Sequence, residues 1–95
     1  MHGEYKVPGG KLVVVDLDVQ DGRLTQVQVS GDFFLEPDTT LDAINAALTG
    51  LPADAGMEAY THAAAKAMAN ADAYGLTAEA VAIAVTRALQ EGAHA

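Results

Sequence analysis

The sequence predicts an α+β domain: a small antiparallel β-sheet, built as a hairpin with short flanking strands, packed on one face against three α-helices. Two observations lead there. Residues up to about Leu35 are rich in Val, Leu and Phe and alternate with period two, whereas the remainder is Ala-rich with apolar spacings of three and four. Strands that come first and helices that come after, rather than in alternation, read as α+β. At 95 residues the chain has room for one small domain, 1–95.

The elements follow in order. Glu4 to Val7 is a short strand, ended by the turn cluster Pro8-Gly9-Gly10. Lys11 to Val19 alternates, with Val13, Val15, Leu17 and Val19 on the core face. Lys11, Asp16 and Asp18 are expected on the other face with Leu12 and Val14. Arg23, Thr25, Val27 and Val29 form the next alternating set. A three-residue loop, Gln20-Asp21-Gly22, pairs Val19 with Arg23, Val15 with Val27 and Val13 with Val29. A two-residue Asp-Gly turn would put Gln26 and Gln28 opposite the core face, so the longer loop is preferred. Ser30-Gly31-Asp32 interrupts the pattern before Phe33-Phe34-Leu35, and Pro37 closes the β portion.

The first helix starts near Asp38 or Thr39, where Thr39 and Asp42 are spaced like a capping box. Its stripe is Leu41, Ile44, Ala47 and Leu48, and Gly50 and Pro52 end it. The second runs from about Gly56 to Ala73, with Met57, Tyr60, Ala64, Met68 and Ala71 at helical spacing and Glu58, Lys66 and Asp72 on its solvated face. Thr77 caps the third, where Leu76 and Val81 sit as a hydrophobic staple. Val81, Val85, Ala88 and Leu89 face inward, Gly92 closes the helix, and His94 belongs to a frayed tail.

Composition narrows the function. Thirteen acidic against five basic residues give a net charge of −8, which repels nucleic acid and anionic membrane surfaces. No apolar run reaches the length of a membrane span, and the opening MHGEYKVPGG has neither a basic n-region nor an apolar h-region, so a cytoplasmic location is expected. The absence of cysteine removes disulfides and thiolate ligands, and the alanine content makes for a thin core. Docking onto a partner would supply the missing burial.

No self-sufficient catalytic site is legible. Asp16, Asp18 and Asp21-Gly22 resemble an acidic calcium loop, but counted from Asp16 position 5 is Gln20, Gly falls at 7 and position 12 is Val27. The row is better read as the solvent face of a half-exposed sheet. Gly9-Gly10-Lys11 precedes a strand, whereas a phosphate loop follows a strand and opens a helix, so these glycines make a turn with Lys11 at its exit. His2, His62 and His94 lack metal-ligand spacing, and Ser30, the single serine, has no histidine nearby. Metal and catalytic residues are therefore not assigned. Phe33 and Phe34 face opposite ways in an extended segment. Base rates favour burial of both, and a ring left outside would meet a partner.

Two stretches carry a resemblance. Tyr5-Lys6-Val7-Pro8-Gly9-Gly10-Lys11-Leu12-Val13, followed about twenty residues later by Val29-Ser30-Gly31-Asp32-Phe33-Phe34, resembles the small C-terminal accessory domain of lipoate-protein ligases. In that family a K-x-x-G-G-K-L entry, a hairpin and a G-D-F-F segment precede helices, and the domain can be a separate polypeptide. Gly75 to Val85 looks like the last helix of the stand-alone versions. The family's Arg-Arg and Gly-Gly-Gly motifs and its catalytic lysine have no counterpart here.

The resemblance implies the non-catalytic small subunit of a two-chain ligase, inactive alone. With its catalytic partner it would take part in ATP-dependent activation of lipoate to lipoyl-adenylate, before transfer to a lysine of a lipoyl-acceptor domain. Lipoate, ATP and Mg2+ are then expected at the catalytic subunit, with none bound by this chain alone. The partners implied are that subunit, in a heterodimer, and indirectly the acceptor domain. Lys6, Gly9, Gly10 and Lys11 are the candidates to face the partner or the adenylate; Gly31, Asp32, Phe33 and Phe34 are the candidate interface. Two other readings compete. One is an independent small-ligand-binding or regulatory module of the same fold; the other is an interaction domain self-associating through the second sheet face, where Leu12, Val14 and Leu24 would be partly covered.

Overall fold

The computed structural model describes residues 1–93. Three strands, β1 (His2–Lys6), β2 (Leu12–Gln20) and β3 (Arg23–Gly31), form an antiparallel meander in the order β1-β2-β3. The short β4 (Phe34–Glu36) follows, then α1 (Thr39–Leu48), α2 (Met57–Ala67), β5 (Asp72–Tyr74) and α3 (Ala78–Ala93). Sheet and three helices thus form the α+β architecture expected from the patterning, with α3 on β1 and β2 and α1 on β3 and β4. Val13, Val15 and Leu17 of β2 are buried as the alternation requires, and Val19 is half-buried.

The hairpin departs from its expected register. Gln20 pairs with Arg23, Val19 with Leu24 and Asp18 with Thr25, whereas Asp16 pairs with Gln28 and Val15 with Val29. The turn is the two-residue one: Asp21 and Gly22 both take positive φ (54° and 76°), as a type I′ turn demands. One residue of β2, Leu17, lies between these pairings against two of β3, Gln26 and Val27, which is a β-bulge with Gln26 in the left-handed region at φ 54°. The bulge resets the phase. Leu24 therefore faces the core before it and Val27 and Val29 face the core after it, so the expected partly covered Leu24 is instead fully buried.

Two further boundaries move. β3 continues through Ser30 to Gly31, and α2 stops at Ala67, with Met68 closing its last turn. Asp72 and Ala73, expected at the end of that helix, instead form β5 with Tyr74 and pair with β4 as a separate two-stranded sheet. Three residues are too few for alternation to announce a strand, and the Ala-rich composition continues a helical pattern past its end. At α1, Asp38 occupies the cap position without a side-chain hydrogen bond, so the Thr39/Asp42 box does not form. At α3 the cap does form: Thr77 Oγ1 accepts from Ala80 N at 3.0 Å, and Leu76 and Val81 are both buried. That helix runs past Gly92 to Ala93, and His94 lies outside the described residues.

A core lined by alanine closes because backbones approach each other. A β-carbon added at Gly3 would strike the Ala84 carbonyl and the Ala88 amide, so α3 lies directly on β1 at Ala84 and Ala88. Arg87 ties the same two elements, stacking 5.1 Å above the Tyr5 ring and donating from Nη1 to the Glu4 carbonyl at 2.9 Å. Asn45 Oδ1 accepts from Val29 N at 2.9 Å and joins α1 to β3. Tyr60, 2% exposed, donates to the Pro52 carbonyl at 2.8 Å, and its burial raises the phenol's pKa.

Candidate functional site

The two sequence motifs meet in space. Val7-Pro8-Gly9-Gly10 is a type II turn: Gly10 N donates to the Val7 carbonyl at 2.8 Å, Pro8 occupies the second position and Gly9 the third at φ 69°. Val7 N donates to the Lys11 carbonyl at 3.1 Å, which holds Lys11 at the mouth of β2. One residue on, Leu12 N donates to Asp32 Oδ1 at 2.9 Å. A β-carbon on Gly31 would strike the Leu12 carbonyl and the Phe33 ring, so the second motif crosses the first at contact distance. Asp32 thus satisfies a backbone donor at the start of β2, and Phe33 covers the glycine beside it.

Lys11 is not on the outer sheet face. Period two places it with Val13, and its stem lies against Gly75, the φ +82° residue between β5 and α3, where a β-carbon would meet Lys11 Cβ at 3.0 Å. The outer face instead carries Lys6, paired with Leu12, together with Glu4, Val14, Asp16 and Asp18. Lys6 and Lys11 are both exposed, at the same end of the β1–β2 hairpin. Among the described residues neither is in an ion pair. Their ammonium groups are open to an anionic partner.

The phenylalanines divide. Phe33 is half-buried and packs on the core, and Phe34 is 63% exposed, so burial of both does not hold. Strand alternation in β4 sends Leu35 inward and Phe34 outward. Beside them a groove of about 560 Å³ is lined by Ser30, Gly31, Phe33 to Asp38 and Leu41, with a cis peptide at Glu36–Pro37. It draws on the second motif and not on Gly9, Gly10 or Lys11.

At the other end of the outer face, His2 Nε2 meets Glu4 Oε2 at 2.6 Å and Nδ1 meets Asp16 Oδ1 at 2.7 Å. The hydrogen bond to Glu4, and next that to Asp16, favour the imidazolium and raise its pKa from 6.5 to about 8. Both ring nitrogens are engaged at opposite ends of the imidazole. Among the described residues no group of three or more His, Cys, Asp or Glu side chains is arranged to hold a metal ion, and no helix is long and apolar enough to cross a membrane.

No protein-family model matches the chain, and no curated protein matches it in sequence. A solved structure does match. It is a chain from the archaeal lipoylation system of Thermoplasma acidophilum, described as a bipartite lipoate protein ligase and its E2 lipoyl domain. The likeness has a TM-score of 0.65 at 22% identity and covers 94% of this chain and 97% of that one. The fold is that of a component of this lipoylation system. Coverage near completeness on both sides makes the two chains similar in length.

Sequence reasoning found the motif residues but missed what joins them. Asp32 at a strand end, two residues after a serine, is an ordinary turn signal, and nothing local says that it reaches back to Leu12. Gly75 is legible as the start of the segment that resembles the family's last helix and not as a seat for Lys11.

Proposed function

We propose that this chain is the small, non-catalytic subunit of a two-chain lipoate-protein ligase. It acts with a larger chain in the ATP-dependent activation of lipoate to lipoyl-adenylate, which precedes transfer to a lysine of an acceptor domain. The observation that supports this most is the nearly end-to-end likeness to a component of a bipartite lipoylation system. The joined motifs add to it, because Asp32, Gly31 and Phe33 support the turn that presents Lys11.

On this reading lipoate, ATP and Mg2+ belong to the larger chain, and the small subunit orders that chain's binding loops. Lipoyl-adenylate is a mixed anhydride, and a covering subunit that excludes water favours its formation and slows its hydrolysis. Lys6 and Lys11 then face an anionic group of the partner or of the adenylate, and Gly9 and Gly10 keep the approach to it open. The location follows as cytoplasmic, with a heterodimer as the working assembly.

The test is lipoate-dependent ATP–pyrophosphate exchange by the larger chain of the same organism, with and without this one. Exchange only with both is expected, falling by about tenfold in Lys11→Ala if one charge-assisted contact is lost. Unchanged complex formation and exchange in that variant remove Lys11 from the site. Full exchange without this chain would favour an independent ligand-binding module, for which the groove beside Phe33 and Phe34 is the motive. The chain's intact mass stays unchanged on the proposed reading; addition of a lipoyl group to it would make it the acceptor.

A further inference from the structure

The two-stranded sheet holds an imbalance that the isolated chain does not resolve. Its register opposes Phe34 to Tyr74 and Glu36 to Asp72. Directly opposed residues share a face, as do residues two apart in a strand, so all four side chains leave the same face. Leu35 and Ala73 take the other face, against the core. Each of the two rings is 63% exposed. Glu36 and Asp72 are exposed too, and among the described residues neither has a cation within ion-pair distance. Like charges opposed across strands destabilise the pair, and a ladder three residues long has little to set against that.

We propose that this face is the docking surface for the larger ligase chain, and that it receives a lysine or arginine flanked by apolar residues. The inference rests on the function proposed above. The cation sits between Glu36 and Asp72, and its stem and apolar neighbours cover Phe34 and Tyr74. An arginine suits the place best, since its planar fork reaches two carboxylates and stacks on a ring. The groove of about 560 Å³, which shares Phe34 and Glu36 with this face and is also lined by Pro37 and Leu41, gives the flanking residues room.

Charge selects the occupant. A second copy of this chain, seated about a two-fold axis on the same patch, would bring two Glu36–Asp72 pairs together and add repulsion to repulsion. Nucleic acid and anionic membranes are repelled by the same carboxylates and by the net charge of −8. A basic, partly apolar protein surface neutralises the pair and buries the rings at once.

The experiment measures affinity of the full chain for the larger chain, alongside melting of the isolated chain. Glu36→Gln with Asp72→Asn should weaken association by about tenfold or more while raising the melting temperature of the isolated chain, because repulsion is relieved where the partner is absent. A merely structural role would not give these opposite signs. Phe34→Ser with Tyr74→Ser should weaken association by at least about thirtyfold, as loss of aromatic anchors does. Wild-type affinity in both variants overturns this docking face and leaves the proposed function standing. Failure of the wild-type chain to bind the larger chain overturns both.

Discussion

His2 is held between two carboxylates on the open face of the sheet, and the consequence is a pH dependence of known sign. Its folded pKa is raised from 6.5 to about 8, first by Glu4 and then by Asp16. A raised pKa in the folded state means that the stabilisation is complete below about pH 6.5 and is lost as pH rises through about 8. The expected result is a ring-proton titration of His2 in the folded chain with its midpoint near 8, and a His2→Gln variant whose melting temperature falls less over that window. A midpoint at the unperturbed value would show that the two contacts are not made in solution. At this scale the sequence revealed acids and histidines but not their company, since His2 and Asp16 are brought face to face only by the β1–β2 register. Gly3 is a similar case: nothing in His2-Gly3-Glu4 indicates that a helix backbone from residues 84–88 lies on it.

At the scale of elements, Gln26 decides which face of β3 is buried. Without the bulge a two-residue turn would leave Leu24 and Val27 on opposite faces of the hairpin, and its left-handed φ of 54° is what accommodates both. Gln26→Gly should therefore be neutral or stabilising by up to about 1 kcal/mol, because the strained φ no longer involves a β-carbon. Deleting Gln26 should abolish cooperative unfolding by exposing Leu24 or the Val27–Val29 pair. Both outcomes are read from thermal or urea denaturation, and a fully folded deletion variant would refute the assignment. The alternation of β2, the turn at Pro8-Gly9-Gly10 and the Thr77 cap were legible because each depends on neighbours in sequence. The bulge and β5 were not, because each depends on a partner strand: Asp-Gly fits either loop length, and Asp72-Ala73-Tyr74 becomes a strand only against Phe34, Leu35 and Glu36.

For the whole molecule, charge and a thin core point the same way. A chain with net charge −8 that docks on a basic surface associates faster at low ionic strength, and the association rate should fall roughly tenfold between about 0.05 and 0.5 M salt, a change that stopped-flow mixing with the larger chain measures. An association rate indifferent to salt would mean that charge does not steer docking. The core reaches closure by seating α3 on β1 at Gly3 and by drawing the loop after α1 onto β3, where Leu24 N donates to the Leu51 carbonyl and Arg23 Nη1 to that of Gly50. By itself the sequence determined the α+β class, the faces of β2, the helix starts and the acidic balance, because periodicity, caps and charge act between residues close along the chain. Only the tertiary structure decided the hairpin register, the second sheet, the crossing of the two motifs at Leu12 and Asp32, and the exposure of Phe34 beside Tyr74. Each of those pairs residues separated by many positions, and which residues meet depends on how strands and helices close around a shared core.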